Sequence, residues 1–102
     1  MKACCEKYLN EQFGGDADVV NEIYGEYVSS VDAKLAECDE SLASGDWTRL
    51  DRAAHTIKGN ALAAGDTETA ETAIALRNAA KLNDAAESAS LIAKIREYRA
   101  AL

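Results

Sequence analysis

The sequence predicts an all-α protein, an antiparallel up-down four-helix bundle with a short additional N-terminal helix. Three observations carry that expectation. Proline is absent from the 102 residues, alanine is abundant and aromatic residues make up only 6%, which favours long uninterrupted helices over strands. Apolar residues recur at spacings of three and four along most of the chain, the period of a helix buried on one side. Short breaks rich in Gly, Asn and Asp interrupt the pattern, and loops that short make consecutive helices antiparallel neighbours. A chain of this length holds one core, so residues 1–102 are expected to form one domain without repeats or linkers.

The first helix, 3–13, offers Cys5, Tyr8, Leu9 and Phe13 as an apolar edge and stops at Gly14-Gly15. Two glycines in a row permit a sharp change of direction, so this helix should lie across one end of the bundle. The second, 17–43, begins at an Asp16 cap and repeats Val20, Ile23, Tyr24, Tyr27, Val31, Leu35, Cys38 and Leu42 at helical spacing. It ends near Ser44-Gly45, and Asp46 caps the third, 47–64, in which Trp47, Leu50, Ala54, Ile57, Ala61 and Ala64 form the inner stripe. After Gly65, Asp66 or Thr67 caps the fourth, 67–82, with Ala73, Leu76 and Ala80 inward and Ile74 to one side. Asp84-Ala85-Ala86-Glu87 reads as a capping box for the fifth, 85–101, whose stripe is Ser88, Leu91, Ile92, Ile95, Tyr98 and Leu102.

A formal charge of −7 disfavours binding to nucleic acid or to an anionic membrane surface. No apolar run approaches the roughly 20 residues of a membrane span, and no basic segment with an apolar core opens the chain. A cytoplasmic location and a monomer are expected. Met1 and an end just past the last stripe favour a stand-alone protein. Cys4, Cys5 and Cys38 form no Cys-x-x-Cys pair and are expected to be reduced and partly buried. With a single histidine besides, no metal site is expected.

That histidine, His55, falls more than about 90° from the centre of its helix's inner stripe at 100° per residue. Its imidazole should therefore face solvent, with Thr48, Asp51, Arg52, Gly59 and Leu62 on the same outward side and Lys58 on the flank. Gly59 costs about 1 kcal/mol relative to alanine in a helix interior, and an outward glycine does nothing for a core. Its use would be to let another protein approach the imidazole. Lys58, three residues on, can neutralise an anion attached to the ring, and an exposed neutral imidazole is a usable nucleophile at cellular pH.

The run His55-Thr56-Ile57-Lys58-Gly59-Asn60 followed by Gly65, approached through Ser44-Gly45-Asp46 and Leu50-Asp51-Arg52-Ala53-Ala54, resembles the signature of histidine-containing phosphotransfer (HPt) domains. The departures are mild: Ala63-Ala64 stands where a larger aliphatic usually precedes the glycine, and Asp66 follows where a small residue is common.

The resemblance implies a phosphotransfer intermediate of a multistep two-component relay and no autonomous kinase. His55 would accept a phosphoryl group from a receiver-domain aspartyl phosphate and pass it to an aspartate of another receiver. Lys58 would stabilise the phosphoryl charge. Thr48, Asp51, Arg52, Gly59, Leu62 and Ala63 would meet the partner, with Leu62 and Ala63 as an apolar contact and Asp51 as a possible orienting group for the ring. The partners implied are response-regulator receiver domains and a hybrid histidine kinase. The chain would need no cofactor of its own, the receiver bringing Mg²⁺. The alternative is a non-catalytic helical adaptor that binds a receiver or another signalling protein through the same face.

Overall fold

The computed structural model describes residues 1–102 as five helices without strands: α1 Ala3–Gln12, α2 Ala17–Ser44, α3 Trp47–Ala64, α4 Thr67–Lys81 and α5 Ala85–Ala100. Every helix end lies within one residue of its expected position. The caps explain why. The side chains of Asp16, Asp46, Asp66 and Asp84 each accept the backbone N–H three residues on, satisfying a donor that the helix itself cannot.

The three turns between α2, α3, α4 and α5 share one closure. A left-handed residue follows each helix, immediately after α2 and α3 at Gly45 (φ 70°) and Gly65 (φ 75°), and after Leu82 at Asn83 (φ 52°) beyond α4. The next N–H reaches back five residues, Asp46 to the Ser41 carbonyl at 2.9 Å, Asp66 to Ala61 at 2.8 Å and Asp84 to Ala79 at 3.0 Å. This corrects the capping box expected at the start of α5. Asp84 does take the Glu87 N–H on its side chain, but its own N–H goes to Ala79 rather than back to Glu87.

α2 packs beside α3, α3 beside α4, α4 beside α5, and α5 returns to α2, which closes the antiparallel four-helix bundle. The molecule measures 43 × 20 × 18 Å, and its long axis matches the 28 residues of α2 at about 1.5 Å each. α1 packs on α2 and α3 at one end. Cys5 and Leu9 are its buried residues, whereas Phe13 is 41% exposed. Phe13 was expected on the apolar edge; the helix stops at Gln12, and the non-helical backbone at Phe13, φ −115° and ψ 22°, takes it off that face.

Tyr27, Val31 and Leu35 of α2 meet Leu50 and Ile57 of α3, Leu76 of α4 and Ile92 and Ile95 of α5 in a single core. Between α3 and α4 the filling is Ala54, Ala61, Ala64, Ala70, Ala73 and Ala80. Residues that small let two helices approach closely. Trp47, Tyr24, Leu42, Leu91 and Leu102 are half-buried around the core's margin.

The α3–α4 turn also holds a buried charge. Asp66 is fully buried and accepts from Lys2 Nζ at 2.8 Å, Tyr27 Oη at 2.7 Å and Thr69 Oγ1 at 2.8 Å. Burial pushes its carboxyl up, but the donors from Lys2, Tyr27 and Thr69 outweigh it and hold the group below the usual carboxylate range. The Tyr24 hydroxyl accepts from the Lys2 N–H at 3.2 Å and donates to the Leu102 carbonyl at 2.7 Å, so the two chain ends meet on α2.

All three cysteines are free. Cys5 and Cys38 are buried, and burial pushes both thiols up to about 12; Cys4 is exposed rather than partly buried. No helix is long and apolar enough to cross a membrane.

Candidate functional site

The outer face of α3 follows from its inner one. Leu50, Ala53, Ala54, Ile57, Ala61 and Ala64 are buried, which leaves Thr48, Arg52, His55, Gly59 and Leu62 exposed along the opposite side. His55 therefore stands where the periodicity places it. A Cβ built on Gly59 meets nothing within 4 Å, so the glycine is not required by packing and the space one turn beyond the imidazole is open. Lys58 is half-exposed and makes no salt bridge, unlike Lys2 and Lys34. Its ammonium is free to meet an anion near the ring.

One neighbour of the imidazole was not expected. Arg77 of α4 reaches across the helix pair, with Nη1 at 3.1 Å from His55 Nδ1 and Nε donating to Asp51 Oδ1 at 2.9 Å. Asp51 does not touch the ring; it acts on it only through the guanidinium. The contact follows from the tight α3–α4 packing. The register carries a signal for their level along the bundle, though not for the contact itself. His55 precedes Gly65 by ten residues and Arg77 follows Asp66 by eleven, so an antiparallel hairpin of helices brings the two to the same level.

The other expected residues spread around this centre. Thr48 and Asp51 border a cleft of about 250 Å³ with Trp47, Ala80, Lys81 and Asn83. Arg52 is exposed and makes no salt bridge. Leu62 is 53% exposed and edges a groove of about 400 Å³ between α1 and the end of α3, beside Tyr8 and Gly65. Ala63 turns the other way, into a groove of about 290 Å³ against Ile23, Tyr27 and Ser30 of α2. Leu62 and Ala63 thus do not form one apolar patch; successive residues of a helix point about 100° apart. No group of three or more His, Cys, Asp or Glu side chains is placed to hold a metal ion.

A comparison with family models matches the Hpt domain over residues 22–102. The chain belongs to the Hpt domain family. The curated proteins and the solved structures contain no match to it. Hpt domains are phosphocarrier modules of two-component signalling and interact with receiver domains and histidine kinases. In this Hpt domain the matched segment includes the whole of α3, α4 and α5 and most of α2, hence His55, Lys58, Gly59 and Arg77. α1 lies outside it, yet Cys5 and Leu9 are completely buried against the bundle.

Proposed function

We propose that this Hpt domain is the histidine phosphotransfer intermediate of a multistep two-component phosphorelay, acting in the cytoplasm as a monomer. His55 accepts the phosphoryl group from a receiver-domain aspartyl phosphate and passes it to the aspartate of another receiver. The observation that carries the reading is the exposed imidazole with open space over Gly59 on one side and the unpaired Lys58 on the other.

Phosphoryl transfer needs in-line positioning and neutralisation of charge on the equatorial oxygens more than covalent machinery. A convex helix face suits that need, because the partner supplies the rest of the centre. The receiver brings the Mg²⁺, and this chain uses no cofactor of its own. Lys58 neutralises the phosphoryl oxygens, Gly59 admits the partner's loops, and Thr48, Asp51, Arg52, Leu62 and Ala63 border the contact. The chain transfers the group without kinase activity.

The test is incubation with a panel of phosphorylated receiver domains and Mg²⁺, following acid-labile, base-stable label on the wild type and on His55→Gln. Label on the wild type alone is expected. Label on His55→Gln as well would remove His55 from the reaction, and binding of receivers without any transfer would leave an adaptor as the function.

A further inference from the structure

The contact between Arg77 and His55 fixes where the ring's proton sits. A guanidinium carries donors only, so at 3.1 Å from Arg77 Nη1 the Nδ1 atom of His55 is the acceptor. The neutral ring then keeps its proton on Nε2. A nitrogen that carries the proton has no free lone pair, so in this arrangement Nε2 cannot attack phosphorus, while Nδ1 is covered. Asp51 holds the guanidinium in place from the same helix as the ring.

We propose that Arg77, anchored by Asp51, gates the Nδ1 lone pair of His55. Engaged, it holds the ring in its unreactive tautomer and protects phosphohistidine; withdrawn, it lets Nδ1 carry the proton that transfer requires in either direction. This deepens the phosphotransfer reading above and rests on it.

In acceptance, the proton sits on Nδ1 and the Nε2 lone pair forms the N–P bond. The aspartyl O–P bond breaks with its electron pair left on the carboxylate oxygen, and the imidazolium product then gives its Nδ1 proton to water. In donation, Nδ1 first takes a proton from water. The N–P bond breaks with its electron pair returning to Nε2, and a carboxylate oxygen of the next receiver forms the new O–P bond. The leaving group is then neutral imidazole. With Arg77 on Nδ1 it would be an imidazolate anion, a much poorer one. Arg77 and Asp51 are 26% and 28% exposed, so a docking partner can reach both. The phosphoryl dianion it carries offers the guanidinium a bidentate alternative to the Asp51 and Nδ1 contacts.

The test uses the whole chain with ¹⁵N-labelled histidine at about pH 8, where an ordinary imidazole is neutral. The wild type should show Nδ1 unprotonated and Nε2 protonated. Arg77→Met, which keeps the length of the side chain and removes its donors, should raise the ratio of Nδ1–H to Nε2–H tautomer by about threefold, the bias one modest hydrogen bond sustains. Asp51→Asn should fall between. A second readout is the lifetime of phospho-His55 made with phosphoramidate, which should shorten about threefold in Arg77→Met. Identical ring shifts in wild type and Arg77→Met, or an Nδ1–H ring in the wild type, would overturn the gate. If no receiver labels His55, the phosphotransfer reading fails and the gate with it; labelling with unchanged spectra removes the gate alone.

Discussion

The Tyr27 hydroxyl donates to Asp66 Oδ2 at 2.7 Å, tying the middle of α2 to the cap of α4 across 39 residues of sequence. Lys2 closes on the other carboxylate oxygen at 2.8 Å, so a single buried charge joins α1, α2 and the α3–α4 turn. Removing one member of such a group leaves the others desolvated without a partner. Asp66→Asn keeps the volume and part of the capping but loses the charge. It should lower stability at neutral pH by about 3 kcal/mol, measured by urea unfolding with circular dichroism.

The same cluster sets a pH window. The carboxyl of Asp66 is held below its ordinary value of 3.8, so its contribution is complete above that value and is lost as pH falls through the lower folded value. Burial lowers and the Asp66 hydrogen bond raises the ammonium of Lys2, leaving it above its ordinary 10.5, while burial pushes the Tyr27 phenol well up. Those contributions are complete below their unfolded values and are lost on the alkaline side. The wild type should therefore lose stability below about pH 4 and above about pH 10. In Asp66→Asn the acid limb should flatten, as read from thermal midpoints across that range.

Gly65 holds φ 75°, and a Cβ there would run into the side chain of Tyr8. The left-handed backbone alone costs an alanine about 1–2 kcal/mol, and the contact falls on the base of Tyr8, which moves only with α1. Gly65→Ala should cost about 2 kcal/mol or more and expose the buried Cys5 to thiol reagents. An unchanged rate of Cys5 labelling would show that α1 tolerates the added atom.

Gly59 predicts the opposite sign. Its surroundings are empty, so Gly59→Ala should raise stability by about 1 kcal/mol and the midpoint by about 4–8 °C for a domain of this size. Gly59→Glu should fold and fail to exchange phosphate with receivers, by bulk and by charge against their acidic centre. Normal transfer by the glutamate variant would mean that the glycine does not serve partner access.

Lys58 makes no salt bridge to lose, so Lys58→Ala should leave the thermal midpoint within about 2–4 °C, as surface changes do in a domain of this size. Its transfer rate from a phosphorylated receiver should drop about tenfold if the ammonium neutralises phosphoryl oxygens. Single-turnover kinetics on quenched samples would read this directly.

The order of helices was written locally, and so it was legible. Asp16, Asp46, Asp66 and Asp84 start helices, and Gly45, Gly65 and Asn83 end them, by hydrogen bonds that span at most five residues. The exposure of His55 and Gly59 was legible for a similar reason, since one buried stripe fixes the other faces of the same helix. Phe13 and the divergent Leu62 and Ala63 were not, because a one-residue difference in a helix end, or 100° on a helix surface, decides what each side chain meets.

The sequence by itself determined the five helices, their antiparallel course and a solvent-facing histidine with a lysine and a glycine beside it, because caps and helical period act over a few residues. Only the tertiary structure decided that Asp66 is a buried charge shared by Lys2 and Tyr27, and that Arg77 rather than Asp51 touches the His55 ring. Those contacts join residues 22 to 64 positions apart. They depend on how closely the alanine faces of α3 and α4 approach and on where α1 folds back, which are properties of the packed bundle and not of any one helix.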